Sequence, residues 1–219
     1  NDFASFDVNV TTEQPSDLST IGAYVVISPS NMVAICGSCG GIAYLNSFSA
    51  LNARYQPSFT FTTSNSTPVQ VAGTISHEVG HQFGLNHDGH TNGDEYYDGH
   101  GFWNSIMGSG SQPIQHWSKG EYSGANNRED DLAIIAAKAP YSVDDVPGTR
   151  AEARALGRMS TTRLDRKGII ERTEDIDYYT FTAPQGSVLT AVVKPSSTTL
   201  HAKATLYRVV GAEVTTTES

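Results

Sequence analysis

Thr67-Pro68-Val69-Gln70-Val71-Ala72-Gly73-Thr74-Ile75-Ser76-His77-Glu78-Val79-Gly80-His81-Gln82-Phe83-Gly84-Leu85-Asn86-His87-Asp88 reads as one helix with a marked start and a marked stop, followed by a sharp turn. Thr67 can act as N-cap, Pro68 takes the first helical position, and Gln70 completes a capping-box pattern. Val69, Ala72, Ser76, Val79 and Phe83 follow near-helical spacing. Gly84 supplies the left-handed residue on which such a helix ends. On this helix His77 and His81 lie one turn apart on the same face, where their imidazoles can converge on one ion. Glu78 sits about 100° around from His77, beside that ion rather than directed at it. The turn at Gly84 lets His87 return as a third nitrogen ligand.

Residue types at this spacing point to hydrolysis. Three neutral imidazoles from His77, His81 and His87 leave the fourth position of a tetrahedral Zn2+ open to water. Zinc lowers the pKa of such a water toward about 7 and polarises a substrate carbonyl. Glu78 is the expected general base, taking the water proton and passing it to the leaving amine. The expected reaction is peptide-bond cleavage by a zinc-activated water without a covalent intermediate, on a protein or peptide substrate.

Working outward, residues 6–11 and 21–27 and the stretch around 41–45 read as strands before the helix. Residues 88–115 are rich in Gly, Asp, Tyr and Asn without periodicity, the pattern of a functional loop. Helical spacing returns over 128–139, with an acidic first turn at Glu129-Asp130-Asp131. The expected organisation is a mixed α/β (α+β) catalytic domain in residues 1–140 and a linker in 141–150. A small, all-β, sandwich-like unit is expected in 151–219, from period-two stretches at 175–182, 188–193 and 204–210. The chain starts at Asn1 without Met, which leads us to expect a removed leader or a segment of something longer. The unit after residue 150 is expected to be cut short at residue 219.

Charge and cysteines narrow the class. With 23 acidic against 14 basic residues the net charge is -9, which argues against a nucleic-acid partner. No apolar run approaches the roughly 18 residues of a membrane span. The only cysteines lie in Cys36-Gly37-Ser38-Cys39. A redox or half-zinc pair is the reading for a reducing compartment, but glycines and a strand-like stretch follow where thioredoxin chemistry wants a helix. A small-loop disulfide between Cys36 and Cys39 in a secreted protein is the preferred reading. Sequons at Asn9 and Asn65 are compatible with secretion. Oligomeric state leaves no mark on the sequence.

The motif at 77–88 resembles the metzincins, and Asp88 directly after the third histidine is similar to the adamalysin/reprolysin branch. Ser105-Ile106-Met107-Gly108 is similar to that family's methionine turn, which implies that Met107 is a hydrophobic floor beneath the imidazoles. Gly84, Asp88 and Met107 are thereby expected to support the site structurally. Ser109 stands where astacins and serralysins place a tyrosine, so no tyrosine ligand is expected. The resemblance also implies a strand and a long helix ahead of the region beginning at Phe6, for which this chain has no room. It implies that residues 108–117 shape the specificity pocket. The stretch Asp175-Ile176-Asp177-Tyr178-Tyr179-Thr180-Phe181 is similar to the β-sandwich domains appended to secreted bacterial peptidases.

Other residues near the motif invite blander readings. His90, His100 and His116 read as loop hydrogen-bonding residues, since three ligands complete a catalytic site. Asp94, Glu95 and Asp98 form a cluster that could hold calcium, but their spacing fits no EF-hand loop. Tyr96, Tyr97, Trp103 and Trp117 read as loop packing. The rival to a peptidase is a catalytically silent, peptidase-derived binding or structural module of a larger extracellular assembly; Glu78, which such a module would not need, argues against it. A zinc amidase would share the metal chemistry and differ only in its cleft.

Overall fold

The computed structural model describes residues 2–29, 36–37, 39–49, 53–63, 66–109, 112–159, 164–194, 202–210 and 213–218. Asn65, the acceptor of the second sequon, and Ser38 of the cysteine turn lie outside them. The chain divides into two compact units. One comprises Asp2 with Phe6–Tyr141, the other Phe3–Ser5 with Ser142–Ser219 and Asn1.

The first unit is mixed α/β. Strand β1 (Tyr24–Ser28) pairs in parallel with β3 (Pro57–Phe61), and β2 (Gly41–Ile42) pairs antiparallel with the other edge of β3. Helix α1 (Pro68–Phe83) packs on β3 and β2. Its ends are those the sequence specifies. The Thr67 hydroxyl accepts from the Gln70 N–H, the Gln70 side chain accepts from the Thr67 N–H, and Pro68 opens the first turn. A cap of this kind is worth about 1 kcal/mol. At the other end Gly84 has φ 108°, and its N–H closes onto the carbonyls of Gly80 and His81.

The buried face of α1 departs from the apolar reading. Val69 is exposed, whereas Ser76, Glu78, Gly80, Gln82 and Phe83 are buried. Two of these polar groups are partnered: the Gln82 side-chain amide donates to the Gln56 carbonyl, and Ser76 donates to the Asp2 carboxylate at 2.5 Å. Phe83 stacks on Phe48, with ring centroids 4.1 Å apart. Phe83, Leu85, Met107 and Ile135 are the fully buried apolar centre.

Two further short strands, β4 (Trp103–Ser105) and β5 (Ile114–His116), pair in parallel within the long loop. Helix α2 (Asp131–Ala136) is shorter than the span 128–139, because the Asp130 side chain caps it by accepting from the Ala133 N–H. The expected strand at 6–11 is not formed. Phe6 makes a lone antiparallel bridge to Tyr141 and stacks on its ring, while residues 8–11 run irregularly. Cys36 and Cys39 form a disulfide.

The second unit, among its described residues, contains two separate sheets. Strand β6 (Arg154–Arg158) runs parallel to β7 (Tyr179–Thr182), and β8 (Thr205–Val210) forms an antiparallel pair with β9 (Glu213–Glu218). The alternation at 188–193 does not produce a strand; Val188 and Val192 are exposed and have no apolar face to join.

Candidate metal centre

Helix α1 presents His77 and His81 on one face, and the left-handed Gly84 brings His87 back against them. One ring nitrogen from each lies within 4.8 Å of the other two, an arrangement that could hold a metal ion. Ring centroids are 4.8 Å apart for His77 and His81 and 4.7 Å for His81 and His87.

Every Nδ1 of the three is already committed. His77 Nδ1 meets the Ile106 carbonyl at 2.8 Å, His81 Nδ1 the Leu85 carbonyl at 2.8 Å, and His87 Nδ1 the Glu95 carboxylate at 2.8 Å. Carbonyls and carboxylates only accept, so each Nδ1 donates and each Nε2 is left with a lone pair. The Nε2 atoms of His81 and His87 nonetheless approach to 2.9 Å. Two lone pairs do not approach so closely unless a cation or a proton lies between them. Three imidazole nitrogens are a donor set that tetrahedral zinc takes, with Zn–N bonds of about 2.0–2.1 Å. The donor set therefore fits Zn2+.

Electrostatics favour a cation over protons. Burial, and then the neighbouring His81, push His77 down to about 4. Burial also lowers His81. At neutral pH both rings are uncharged and ready to donate lone pairs. Glu78 is buried on the adjoining face, and burial pushes its carboxyl up to about 8. A side chain at Gly41 would strike the Glu78 carboxylate, so the bare backbone of β2 is what makes room for it.

The methionine turn is fastened from both sides. Met107 is fully buried, and a Cβ at Gly80 would lie 2.5 Å from its sulfur, so the thioether rests on α1 at Gly80. Asp88 accepts from the Ser105 hydroxyl through its carboxylate, and its N–H donates to the Met107 carbonyl at 3.0 Å. Ser105 Oγ also accepts from the Met107 N–H at 3.1 Å. The residue following the third histidine is thus bonded to both ends of the segment 105–107.

The acidic loop does not gather into one group. Glu95 goes to His87, Asp94 accepts from Asn92, and Asp98 accepts from Ser109. His90, His100 and His116 hydrogen-bond to the Asn92 N–H, the Tyr97 hydroxyl and the Trp103 indole. Sequence reasoning missed Glu95 as the partner of His87, since nothing in the loop marks which of its acids meets a histidine. It also assigned Tyr96 to loop packing, whereas that ring lies 4.2 Å from His87 and 6.2 Å from His77, centroid to centroid. The Cys36–Cys39 bridge takes no part in the histidine group.

A helical histidine pair closed by a third histidine makes a three-histidine group consistent with Zn2+. Residues 3–88 match the metallo-peptidase family M12B, reprolysin-like, so the segment carrying β1 to β3, α1 and all three histidines is reprolysin-like and metzincin in kind. The match ends at Asp88, and the methionine turn lies beyond it. No curated protein matches the chain.

Proposed function

We propose that the chain is a zinc-dependent endopeptidase in which His77, His81 and His87 hold the metal through Nε2 and Glu78 is the general base. One observation carries this reading: three imidazoles have every Nδ1 committed and one nitrogen each within reach of a common ion, and the buried Glu78 carboxylate directly follows His77 on the same helix. The reprolysin-like match over these residues supports it.

Bound zinc would supply a Lewis acid that polarises the scissile carbonyl and acidifies water. Glu78 accepts the proton of the attacking water and delivers it to the leaving amine. Its burial alone would hold it protonated, and a divalent cation between the histidines opposes that effect. Asp88, Ser105 and Met107 hold the floor so that the histidine geometry persists through turnover. The exposed Tyr96 ring beside His87 borders the site on the solvent side.

Residues 1–140 serve as the peptidase domain, 141–150 as a linker and 151–219 as a β-rich, sandwich-like accessory domain. A disulfide in the first unit and no helix among the described residues long and apolar enough to cross a membrane agree with a secreted protein.

Cleavage of casein by the zinc-loaded chain tests the reading. Glu78→Gln should keep zinc bound and lower turnover by about 10²–10⁴-fold, the usual contribution of a general base; a chelator should abolish cleavage. Wild-type turnover in Glu78→Gln would reject Glu78 as the base. No cleavage despite bound zinc would favour a binding module.

A further inference from the structure

A second set of metal-ligating atoms lies in the second unit, apart from any histidine. Asp144, in the segment after α2, meets Asp175 and Asp177, in the approach to β7. One carboxylate oxygen from each lies within 4.8 Å of the others. Oxygens bound to calcium at about 2.3–2.6 Å stand at most about 5 Å apart across the ion, so one ion can touch all three. Backbone bonds hold two of the carboxylates in place. Asp144 accepts from the Val146 N–H at 2.8 Å, and Asp175 accepts from the Glu171 N–H at 3.1 Å.

An acidic cluster alone would be a solvated patch. Here an independent feature bears on it. Glu171 is only 3% exposed, and neither of its carboxylate oxygens has a hydrogen-bond partner among the described residues. Its carboxyl lies against that of Asp175. Asp177 Oδ1 is likewise buried without a partner. Asp145 adds a further carboxylate, which accepts from the Ile169 N–H at 3.0 Å. The nearby guanidinium of Arg154 donates to the Asp145 backbone carbonyl. Buried carboxylates without donors are costly to keep charged, and a bound cation or a shared proton removes that cost.

We propose that Asp144, Asp175 and Asp177, backed by the buried Glu171, form a calcium site that joins the segment after α2 to the strand β7. The all-oxygen donor set selects a hard cation, and the number of carboxylates without rigid octahedral order favours Ca2+ over Mg2+. Affinity in the range of extracellular calcium modules, about 10⁻⁴–10⁻³ M, is expected.

Calcium titration of the full chain by calorimetry and thermal unfolding tests the site. One calcium should bind and raise the melting temperature, with magnesium at equal concentration doing less. Asp144→Asn and Asp177→Asn should each weaken calcium binding at least tenfold while circular dichroism stays that of the wild type. Terbium offers a readout without any variant: Tyr179, whose hydroxyl lies 3.4 Å from Asp177, should sensitise its emission, and calcium should quench that emission by displacement. Absence of both calcium binding and sensitised terbium emission in the wild type would overturn the site and leave a shared proton between Glu171 and Asp175. Unchanged calcium affinity in both folded variants would overturn it too.

Discussion

His87 depends on a side chain where the other two histidines depend on backbone. His77 and His81 are oriented by carbonyls, which mutation cannot remove, whereas Glu95 orients His87 at 2.8 Å from an exposed position. Carboxylates that accept from the far ring nitrogen of a metal-binding histidine typically contribute 10–100-fold in metal affinity. Because Glu95 is solvated, Glu95→Ala should weaken zinc binding by about tenfold, the low end of that range. Glu95→Gln, which keeps an acceptor oxygen, should lose less. Competition with a chromophoric chelator measures both, and equal zinc affinity in wild type and Glu95→Ala would remove Glu95 from the site. The three histidines were legible in the sequence because the helical repeat sets the spacing of His77 and His81 and Gly84 marks the turn that returns His87. Glu95 was not, because a loop without periodicity does not reveal which acid reaches a histidine.

At the scale of elements, α1 was legible at both ends because capping is a local matter. Thr67, Pro68 and Gln70 meet one another within a turn, and Gly84 needs only its own missing side chain. Gly84→Ala should cost about 1–2 kcal/mol for a left-handed alanine, with more added where the new Cβ meets Asn46 Oδ1 at 3.2 Å. It should also displace His87, so zinc content should fall together with the denaturation midpoint. A variant that lost stability but kept full zinc affinity would separate the turn from the third ligand. Strand β3 escaped the sequence reading for a physical reason. Its buried face carries Ser58 and Thr60, while Phe59 and Phe61 point to the half-exposed face. An apolar pattern therefore names the wrong side. The alternation at 188–193 errs the other way, offering valines to a face that no strand covers.

Across the molecule, pH bears on stability through buried acids. Asp131 is fully buried at the start of α2, and burial pushes it up to about 8 even though the Ser118 N–H hydrogen-bonds to it. A raised carboxyl favours the protonated folded state. Its stabilisation is complete below the ordinary value of 3.8 and is lost as pH rises through about 8. The lowered histidines act oppositely, but only below about 6.5, where the unfolded chain takes up protons. The metal-free chain should therefore melt at lower temperature at pH 8 than at pH 7. Asp131→Asn should reduce that slope, as followed by circular dichroism; an unchanged slope would show that Asp131 is already ionised at pH 7.

The three Nδ1 anchors differ in where along the chain they come from. Leu85 is four residues from His81, Glu95 eight from His87 and Ile106 twenty-nine from His77. The stretch 67–88 thus holds all three histidines but only one of the three anchors. Severed from the rest, it would be a limp chelator that binds whichever ion grips nitrogen hardest, and copper outranks zinc on that scale. Within the folded chain the loop from Asp88 to Met107 fixes the angles before any ion arrives. Choice among metals then rests on shape rather than grip.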